Sequence, residues 1–228
     1  MKNTILIAGV VASLSSAYGQ TTFSQTQAFG PSSLSFDDTL TFNQLNLNPA
    51  DIISVSWSYS ITVNGGQMVI DNDGTNPATV NAMFGGELDV TSTDVTLFDP
   101  ATFMPLIDGV SATTSGIFNL AANVGDTVGD YDPTGPDGAT LLGQVSTTSG
   151  SASVDNSFWA QYLGTGLIDL DVSADAVASI GTVGGVEFAF TPATANGSLT
   201  LNVTAVPEPS SALLSMTGIL ALGLRRRR

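Results

Sequence analysis

The sequence predicts an all-β protein whose main domain is a single antiparallel β-sandwich with a jelly-roll-like arrangement. Helix-forming Lys and Arg are scarce, whereas Thr, Ser, Val and Gly are frequent. Along residues 51–63 the side chains alternate, and every second position is a large apolar residue: Ile53, Val55, Trp57, Tyr59, Ile61 and Val63. A repeat of two residues is typical of a strand with one face in a core and the other in water.

Further strands are predicted wherever short runs of β-favouring residues are separated by Gly, Asn, Asp or Pro. These runs cover residues 34–36, 40–42, 67–70, 79–84, 87–90, 95–98, 116–120, 141–145, 167–172, 186–190 and 198–203. The turn sequence Asn64-Gly65-Gly66 connects the long strand to the next one, as in a hairpin. Many short strands favour two packed sheets, and closing of the same strands into a single barrel is the alternative.

The charged residues exclude several classes of function. The 228 residues include 20 Asp or Glu and only 5 Lys or Arg, with no His and no Cys. Lys2 and four arginines at the C-terminus are the basic residues, so the body of the protein contains none. Because phosphate binding needs a basic patch, we do not expect the body to bind nucleic acid. The composition also excludes a His base, a Cys nucleophile, a Cys/His zinc site and disulfide bonds.

Residues 1–19 have the pattern of a secretory signal peptide with an apolar helix. A basic N-terminus precedes the apolar stretch from Ile5 to Leu14, and Ala17 and Gly19 lie three and one positions before Gln20. A stretch of about ten residues is shorter than the ~20 that a membrane-spanning helix needs. We therefore expect export, cleavage by signal peptidase, and a mature chain that begins at Gln20.

Three features follow one another at the C-terminus, after a predicted β-domain of residues 20–205. The motif Val206-Pro207-Glu208-Pro209 ends the domain, since proline cannot continue a strand ladder. The apolar stretch from Ala212 to Leu224 predicts a helix of roughly 20 Å, shorter than the ~30 Å hydrocarbon core. The chain then closes with a basic tail, which the positive-inside rule keeps in the cytoplasm. This tail consists of Arg225, Arg226, Arg227 and Arg228.

In this order the motif, the short apolar helix and the basic tail resemble the PEP-CTERM sorting signal of exported bacterial proteins. The resemblance covers residues 206–228. It implies recognition by an exosortase, a membrane-embedded protease or transpeptidase that cuts near the Pro-Glu-Pro motif. It also implies transient membrane anchoring through the C-terminal helix, followed by delivery to the cell envelope, the cell surface or the extracellular matrix.

The body resembles a second family, the choice-of-anchor E domains, which are β-rich surface domains of bacteria. The resemblance rests on short stretches of residues 23–25, 72–80, 162–166 and 172–176. It implies a β-rich surface domain and brings neither a catalytic residue nor a ligand. The acidic loop of residues 126–137 is not accounted for by this resemblance.

That loop is rich in Gly and Pro and contains four candidate ligands for a structural Ca²⁺ ion: Asp126, Asp130, Asp132 and Asp137. Calcium binds about six to eight oxygens, which carboxylates and backbone carbonyls of a bent loop can supply. Weaker candidates are the segment from Asp71 to Gly74 and the alternate residues Asp169, Asp171, Ser173 and Asp175. The alternative is that these are solvated acidic turns, which keep a secreted protein soluble. We expect no other cofactor.

Two further groups of residues suggest carbohydrate chemistry. Glu87 and Asp89 lie on one face of a predicted strand, as the carboxylates of some glycoside hydrolases do, although a solvated strand face is the alternative. Phe158, Trp159 and Tyr162 could stack on a polysaccharide, although large aromatic residues are more often part of a core. The sequence thus predicts an exported, non-enzymatic surface or matrix protein. An exopolysaccharide-binding module and a carboxylate-dependent glycoside hydrolase are the alternatives.

Overall fold

The computed structural model describes residues 11–13, 19–125, 129, 131–181 and 184–206, with side chains described from residue 19 onward. These residues contain thirteen strands and two short 3-10 helices, and the paired strands are antiparallel throughout. The all-β prediction is therefore confirmed.

The strands, in chain order, are β1 (Val11–Ser13), β2 (Thr21–Ser33), β3 (Phe36–Asn43), β4 (Ile52–Asn64), β5 (Gln67–Asn72), β6 (Ala78–Thr91), β7 (Val110–Ser111), β8 (Thr114–Leu120), β9 (Gly138–Leu142), β10 (Val145–Ser153), β11 (Leu167–Ile180), β12 (Val186–Thr191) and β13 (Thr194–Ala205). The 3-10 helices are Pro49–Asp51 and Asn156–Tyr162.

The first sheet has the strand order β1-β2-β13-β4-β10. Strand β4 is the alternating segment recognised in the sequence, and its apolar side chains from Val55 to Val63 point into the protein. Ile53 differs from the prediction because it is exposed, and Ile52 is buried instead, next to the register shift between Thr204 and Ala205 of β13. Trp57 and Ile61 of β4 and Leu199 and Leu201 of β13 are fully buried. The alternation of apolar and polar residues thus places one face of this sheet in a hydrophobic core.

The second sheet has the order β3-β11-β6-β7, with β8 paired to the first half of β6, and the third sheet has the order β12-β5-β9. Strand β6 contributes to two hydrophobic clusters. Leu88 joins the first cluster, which includes residues of the first and second sheets, whereas Val80 joins a smaller cluster with Met68 and Ile70 of the third sheet. The structure has three sheets, whereas the sequence predicted two packed sheets in a jelly-roll-like sandwich. The single sandwich therefore stays a prediction.

The pair Gly85-Gly86 separates the two predicted strands 79–84 and 87–90, but in the structure it lies inside the continuous strand β6. Gly85 has a φ of 150°, and a Cβ atom there would collide with the backbone oxygen of Ala112. The backbone segments around Gly86 and Ala112 approach each other closely here, and the Ala112 N–H donates to Gly86 O at 2.8 Å. Glycine is needed because both the backbone angle and the space exclude a side chain.

Other segments also differ from the predicted strands. Residues 34–35 and 143–144 lie between strands, and the short strand β7 was not predicted. Strands β2 and β10 were not predicted, and both consist largely of polar residues. The run 95–98 forms no named strand and makes only an isolated bridge between Phe98 and Pro105.

Two glutamines of β2 join the first sheet to β3, the edge strand of the second sheet. The Gln25 side chain both donates to Asn43 O at 2.7 Å and accepts the Asn43 N–H at 2.9 Å. Gln27 donates to Thr41 O at 2.8 Å. Because β3 is the outer strand of the second sheet, these amide groups occupy backbone positions that a further strand would use.

The described β-domain is entered and left at the same end. Thr21 at the start of β2 is aligned with Ala205 at the end of β13, and the next residue, Val206, donates its N–H to Asp51 O at 2.8 Å. We call this end, which contains Thr21, Asp51 and Val206, the exit end. The residues of the predicted sorting signal after Val206 lie outside the described part of the chain.

Part of the predicted signal peptide is extended, which differs from the helix expected there. Residues 11–13 form strand β1, which pairs with residues 22–24 of β2. The other residues of the predicted signal helix lie outside the described part of the chain.

We predict that Gly85→Ala destabilises the domain, because an alanine must adopt an unfavourable φ and displace the backbone at Ala112. A strained backbone position costs about 1–3 kcal/mol. Chemical denaturation measures this effect against Gly184→Ala, where a Cβ atom would meet nothing within 4 Å. Equal midpoints for the two variants would contradict the role given to Gly85.

Candidate functional site

The acidic loop packs one of its predicted calcium ligands into the protein. Asp137 is 1% exposed, and its Oδ2 accepts the N–H of Val124 at 2.7 Å. Its backbone oxygen accepts the N–H of Asn72 at 3.1 Å. A buried carboxylate needs hydrogen-bond donors or a cation, and here a backbone N–H supplies one donor. Asp137 therefore fastens the loop to strand β5.

A second buried carboxylate lies beside this loop. Asp71 is 1% exposed and stands opposite Gly138 of β9 on one side and Glu187 of β12 on the other. Its Oδ2 accepts the N–H of Asp132 at 3.2 Å. The structure thus brings Asp71 of the weaker candidate segment next to the acidic loop, a proximity that the sequence does not reveal.

Asp132 has a different environment. Its Oδ1 accepts hydrogen bonds from the hydroxyl and the backbone N–H of Thr134, at 2.6 and 2.8 Å. These two hydrogen bonds, the hydroxyl first, lower the pKa of Asp132 below its ordinary value. This is the geometry of an aspartate that closes a turn.

The predicted calcium site is only partly described. Asp126 and Asp130 lie outside the described residues. Among the residues that the structure describes, no three acidic side chains are grouped so that they could hold a metal ion. Structural Ca²⁺ bound by the full set of aspartates stays a prediction.

The acidic residues of β11 belong to hydrogen-bonded strand pairs. Asp169 accepts the hydroxyl of Thr41 at 2.7 Å, and Asp171 accepts that of Thr39 at 3.1 Å. These contacts link β11 to β3 across the second sheet.

The candidate hydrolase residues lie on β6 as expected. Glu87 and Asp89 are both exposed, and they stand opposite Asp175 and Ser173 of β11. The hydroxyl of Ser111 donates to Glu87 Oε1 at 3.3 Å. The carboxylates are thus solvated and lie on one face of a strand, and hydrolase activity stays an untested alternative.

Tyr162 of the predicted sugar-binding group is a core residue. It is 0% exposed, and its hydroxyl oxygen accepts the Nε1–H of Trp57 at 3.1 Å. The rings of Trp57 and Phe42 meet in a T-shaped contact, with centroids 5.0 Å apart and an interplanar angle of 84°. Burial raises the pKa of Tyr162 to about 12, although the hydrogen bond from Trp57 acts in the opposite direction. Tyr162 therefore cannot present its ring to a ligand.

The other two members of that group lie nearer the surface. Trp159 is half-buried, and its Nε1–H donates to Val154 O at 3.0 Å. Phe158 is half-buried, and its ring lies 6.1 Å from that of Phe98 at an angle of 64°. The pair thus connects the core to a neighbouring exposed turn.

This exposed turn, residues 97–106, was not singled out from the sequence, and we call it the Phe103 turn. Phe103 is 79% exposed and Met104 is 61% exposed. The ring of Phe103 stacks on that of Phe98, with centroids 6.4 Å apart and an interplanar angle of 13°. The turn therefore presents an apolar surface to solvent.

Hydrogen bonds hold the Phe103 turn in shape. Asp99 accepts the Ala101 N–H at 2.8 Å and the Thr102 hydroxyl at 2.9 Å. The Phe103 N–H donates to Asp99 O at 2.7 Å, and the Asp99 N–H donates to Met104 O at 2.9 Å. Phe103 itself has a φ of 57°, an uncommon angle for an aromatic residue. The sequence signal for this turn is the dipeptide Asp99-Pro100, which indicates a turn but not the exposure that follows.

Comparison with known protein families identifies the C-terminal segment. Residues 205–228 match the family described as the PEP-CTERM protein-sorting motif. The chain carries a PEP-CTERM sorting signal. This signal implies an exported protein that is associated with the cell envelope and recognised by an exosortase.

The PEP-CTERM match covers the C-terminal segment alone. No curated protein matches the chain, and no match supports the resemblance of the body to the choice-of-anchor E family. Among the residues that the structure describes, no helix is long and apolar enough to cross a membrane. The apolar stretch 212–224 and the arginine tail lie outside those residues.

The chain matches solved structures of infectious bursal disease virus, and the likeness is distant. The structure of the Gx strain is 10% identical and has a TM-score of 0.15, with 90% of this chain and 43% of the viral chain covered. The VP2 subviral particle is 12% identical and has a TM-score of 0.13, with 96% of this chain and 54% of the viral chain covered. The chain thus spans about half the length of these viral chains, and such TM-scores support no conclusion about fold or function.

We predict that Ca²⁺ raises the melting temperature above that in NaCl of equal ionic strength, since a ligand that binds only the folded state stabilises it. Combined Asp130→Asn and Asp132→Asn should remove the additional increase. Asp155→Asn is the matched control, because Asp155 closes a similar turn with Ser157. Equal increases in Ca²⁺ and NaCl would show that the loop is a solvated acidic turn.

We also predict that alkaline pH destabilises the domain through Tyr162. The pKa of about 12 lies above the ordinary value of 10.0, so the protonated phenol favours the folded state. This contribution is complete below pH 10 and is lost as the pH rises from 10 towards 12. Denaturation curves measured between pH 10 and 12 should show a smaller loss of stability for Tyr162→Phe than for the unchanged protein.

The same Tyr162→Phe variant should be less stable at neutral pH, by about 1–3 kcal/mol, because the buried Trp57 Nε1–H loses its acceptor. If the stability of the unchanged protein and of Tyr162→Phe falls equally between pH 10 and 12, the proposed contribution of the Tyr162 phenol to the pH dependence is wrong.

Proposed function

We propose that this chain is an exported surface or extracellular-matrix protein whose β-domain, residues 20–205, acts as a structural or interaction module and not as an enzyme. The observation that carries the proposal is the PEP-CTERM sorting signal at residues 205–228. We take the domain to be a single sandwich, since the first and second sheets contribute to one hydrophobic cluster.

The position of the motif relative to the fold supports its use as a processing site. Val206 makes the final backbone hydrogen bond in the described part of the chain, to Asp51. Pro207 and Pro209 come next, and they lack the N–H groups that would extend strand β13. The Pro-Glu-Pro motif therefore begins where the described β-structure finishes, within reach of an exosortase.

The proposed sorting step is temporary arrest in the membrane. The apolar stretch 212–224 enters the bilayer, and the four arginines stay on the cytoplasmic side. Because a helix of this length is shorter than the ~30 Å hydrocarbon core, the membrane must thin or the flanking residues must reach to its surface. Cleavage near the motif then separates the β-domain from this anchor.

The chemistry of the body supports a non-enzymatic role. It contains no His, Cys, Lys or Arg between Asn3 and Leu224, so its acid–base groups are carboxylates and tyrosines. Of these, the buried Asp137 and the turn-closing Asp132 accept backbone hydrogen bonds, and Tyr162 lies in the core. These groups serve the fold, which leaves recognition by the surface as the proposed role.

We predict that replacing Arg225, Arg226, Arg227 and Arg228 by Gln abolishes sorting, because the positive charges fix the orientation of the apolar segment. Cell fractionation and mass spectrometry of the C-terminus in the producing bacterium measure uncleaved precursor and surface delivery. Replacement of the same four residues by Lys is the matched control and should preserve sorting. Normal processing of the Gln variant would contradict the proposed role of the tail.

A further inference from the structure

The sorting signal leaves only a short connection between the β-domain and the membrane. Val206 is held by its hydrogen bond to Asp51, and the apolar stretch begins at Ala212. The connecting residues include two prolines, which favour extended backbone. At the maximal rise per residue this connection spans about 20 Å. While the apolar stretch is in the bilayer, the exit end of the domain therefore lies close to the membrane surface.

The Phe103 turn is connected to the exit end through a short series of contacts. Ile52, the first residue of β4, is aligned with Ala205, and Val55 accepts the N–H of Val154 at 2.8 Å. Val154 leads directly into the 3-10 helix that contains Phe158. The ring of Phe158 contacts Phe98, on which Phe103 stacks. A continuous series of contacts thus links the exit of the chain to the exposed aromatic ring.

The chemistry of the turn fits the interfacial region of a bilayer. Phe103 and Met104 are exposed apolar side chains, and phenylalanine is a typical residue of protein surfaces that insert shallowly into membranes. The hydrogen bonds of Asp99 fix the turn in advance, so little further ordering is needed for insertion. The body has no basic residues with which to bind anionic lipids, which leaves apolar insertion as the means of attachment.

We propose that the Phe103 turn inserts Phe103 and Met104 into the bilayer surface while the sorting signal holds the precursor in the membrane. This inference rests on the proposed membrane step of sorting. The tether makes the contact intramolecular, and such linkage can raise effective binding by about 10²–10⁴. Two-point attachment orients the domain, so that the Pro-Glu-Pro motif is presented to the processing enzyme at a fixed height. After cleavage the turn alone holds the domain weakly, and the domain leaves the membrane.

Site-directed spin labelling of the full chain tests this docking, since the chain contains no cysteine that would need to be removed. Single labels are attached to Met104→Cys, Leu142→Cys and Leu220→Cys in separate proteins, which are reconstituted in phosphatidylcholine vesicles. Leu142 is a matched control, because it is 65% exposed and lies beyond the far end of β4. The length of β4 places it roughly 40 Å from the exit end. Leu220 reports whether the apolar stretch itself has inserted.

The measurement is collision of each label with lipid-soluble oxygen and with a water-soluble nickel chelate. We expect protection from the chelate at Met104 and Leu220 and no change at Leu142. Adding Phe103→Asp should abolish the protection at Met104 and leave that at Leu220 intact. The exposed position of Phe103 leaves the core unaltered, which near-UV circular dichroism of the buried Trp57 verifies.

Several results would overturn the proposal in distinguishable ways. Protection at Leu220 together with an aqueous label at Met104 would reject the docking and leave the sorting step intact. An aqueous label at Leu220 would reject both. Equal protection at Met104 and Leu142 would show unspecific adsorption. Two other results would also reject membrane docking if the Met104 label is not protected in vesicles. Immobilisation of the label by added exopolysaccharide would assign the turn to glycan binding. Immobilisation at rising protein concentration would assign it to contact with a second copy of the chain.

Discussion

Between Asn3 and Leu224 the chain has no positively charged side chain, so its carboxylates must be stabilised without side-chain ion pairs. The structure meets this constraint with neutral hydrogen-bond donors. Thr41 and Thr39 donate to aspartates of β11, Ser157 and Thr134 close aspartate turns, and Val124 N–H serves the buried Asp137. Uncharged pairs complete the pattern, since hydroxyls meet directly across the strands at Thr22 and Thr204, Thr26 and Thr200, and Thr62 and Thr147. Thr and Ser thus supply hydrogen-bond donors to the carboxylates in a domain without cationic side chains, and Thr also favours the strand conformation.

The predictability of the fold depended on whether a strand faces a core. Strand β4 was predicted because burial of one face imposes alternation of apolar and polar residues, which holds from Val55 to Val63. Short runs of β-favouring residues marked β13 and the first part of β11. Strand β10 lies at the edge of the first sheet, and most of its positions are exposed, so no apolar repeat marks it. The Gly85-Gly86 pair was misinterpreted because glycine is needed both in turns and where two backbones meet closely, and only the tertiary contact with Ala112 distinguishes the two.

The functional residues show a similar division. The sorting signal was predictable because its three parts act through local sequence and hydropathy, without help from the fold. The burial of Asp71 beside the acidic loop was not, because the proximity of β5 to residues 132–138 is a long-range pairing. Tyr162, which was considered for a surface platform, lies in the core, whereas Phe103, for which the sequence analysis made no prediction, is exposed. Neither outcome follows from residue type, since aromatic side chains are common in both environments.

The glutamine contacts at the edge of the second sheet have a consequence for an exported protein that must stay separate from its own copies. An outer strand with free amide and carbonyl groups is a template on which neighbouring chains can grow a continuous cross-β assembly. Gln25 and Gln27 occupy those groups at Asn43 and Thr41 from within the same molecule. They do so with neutral side chains, whereas many sheet edges are protected by lysine, a residue absent from this domain. Two amides from one strand thus help to keep a lysine-free domain from polymerising with its own copies.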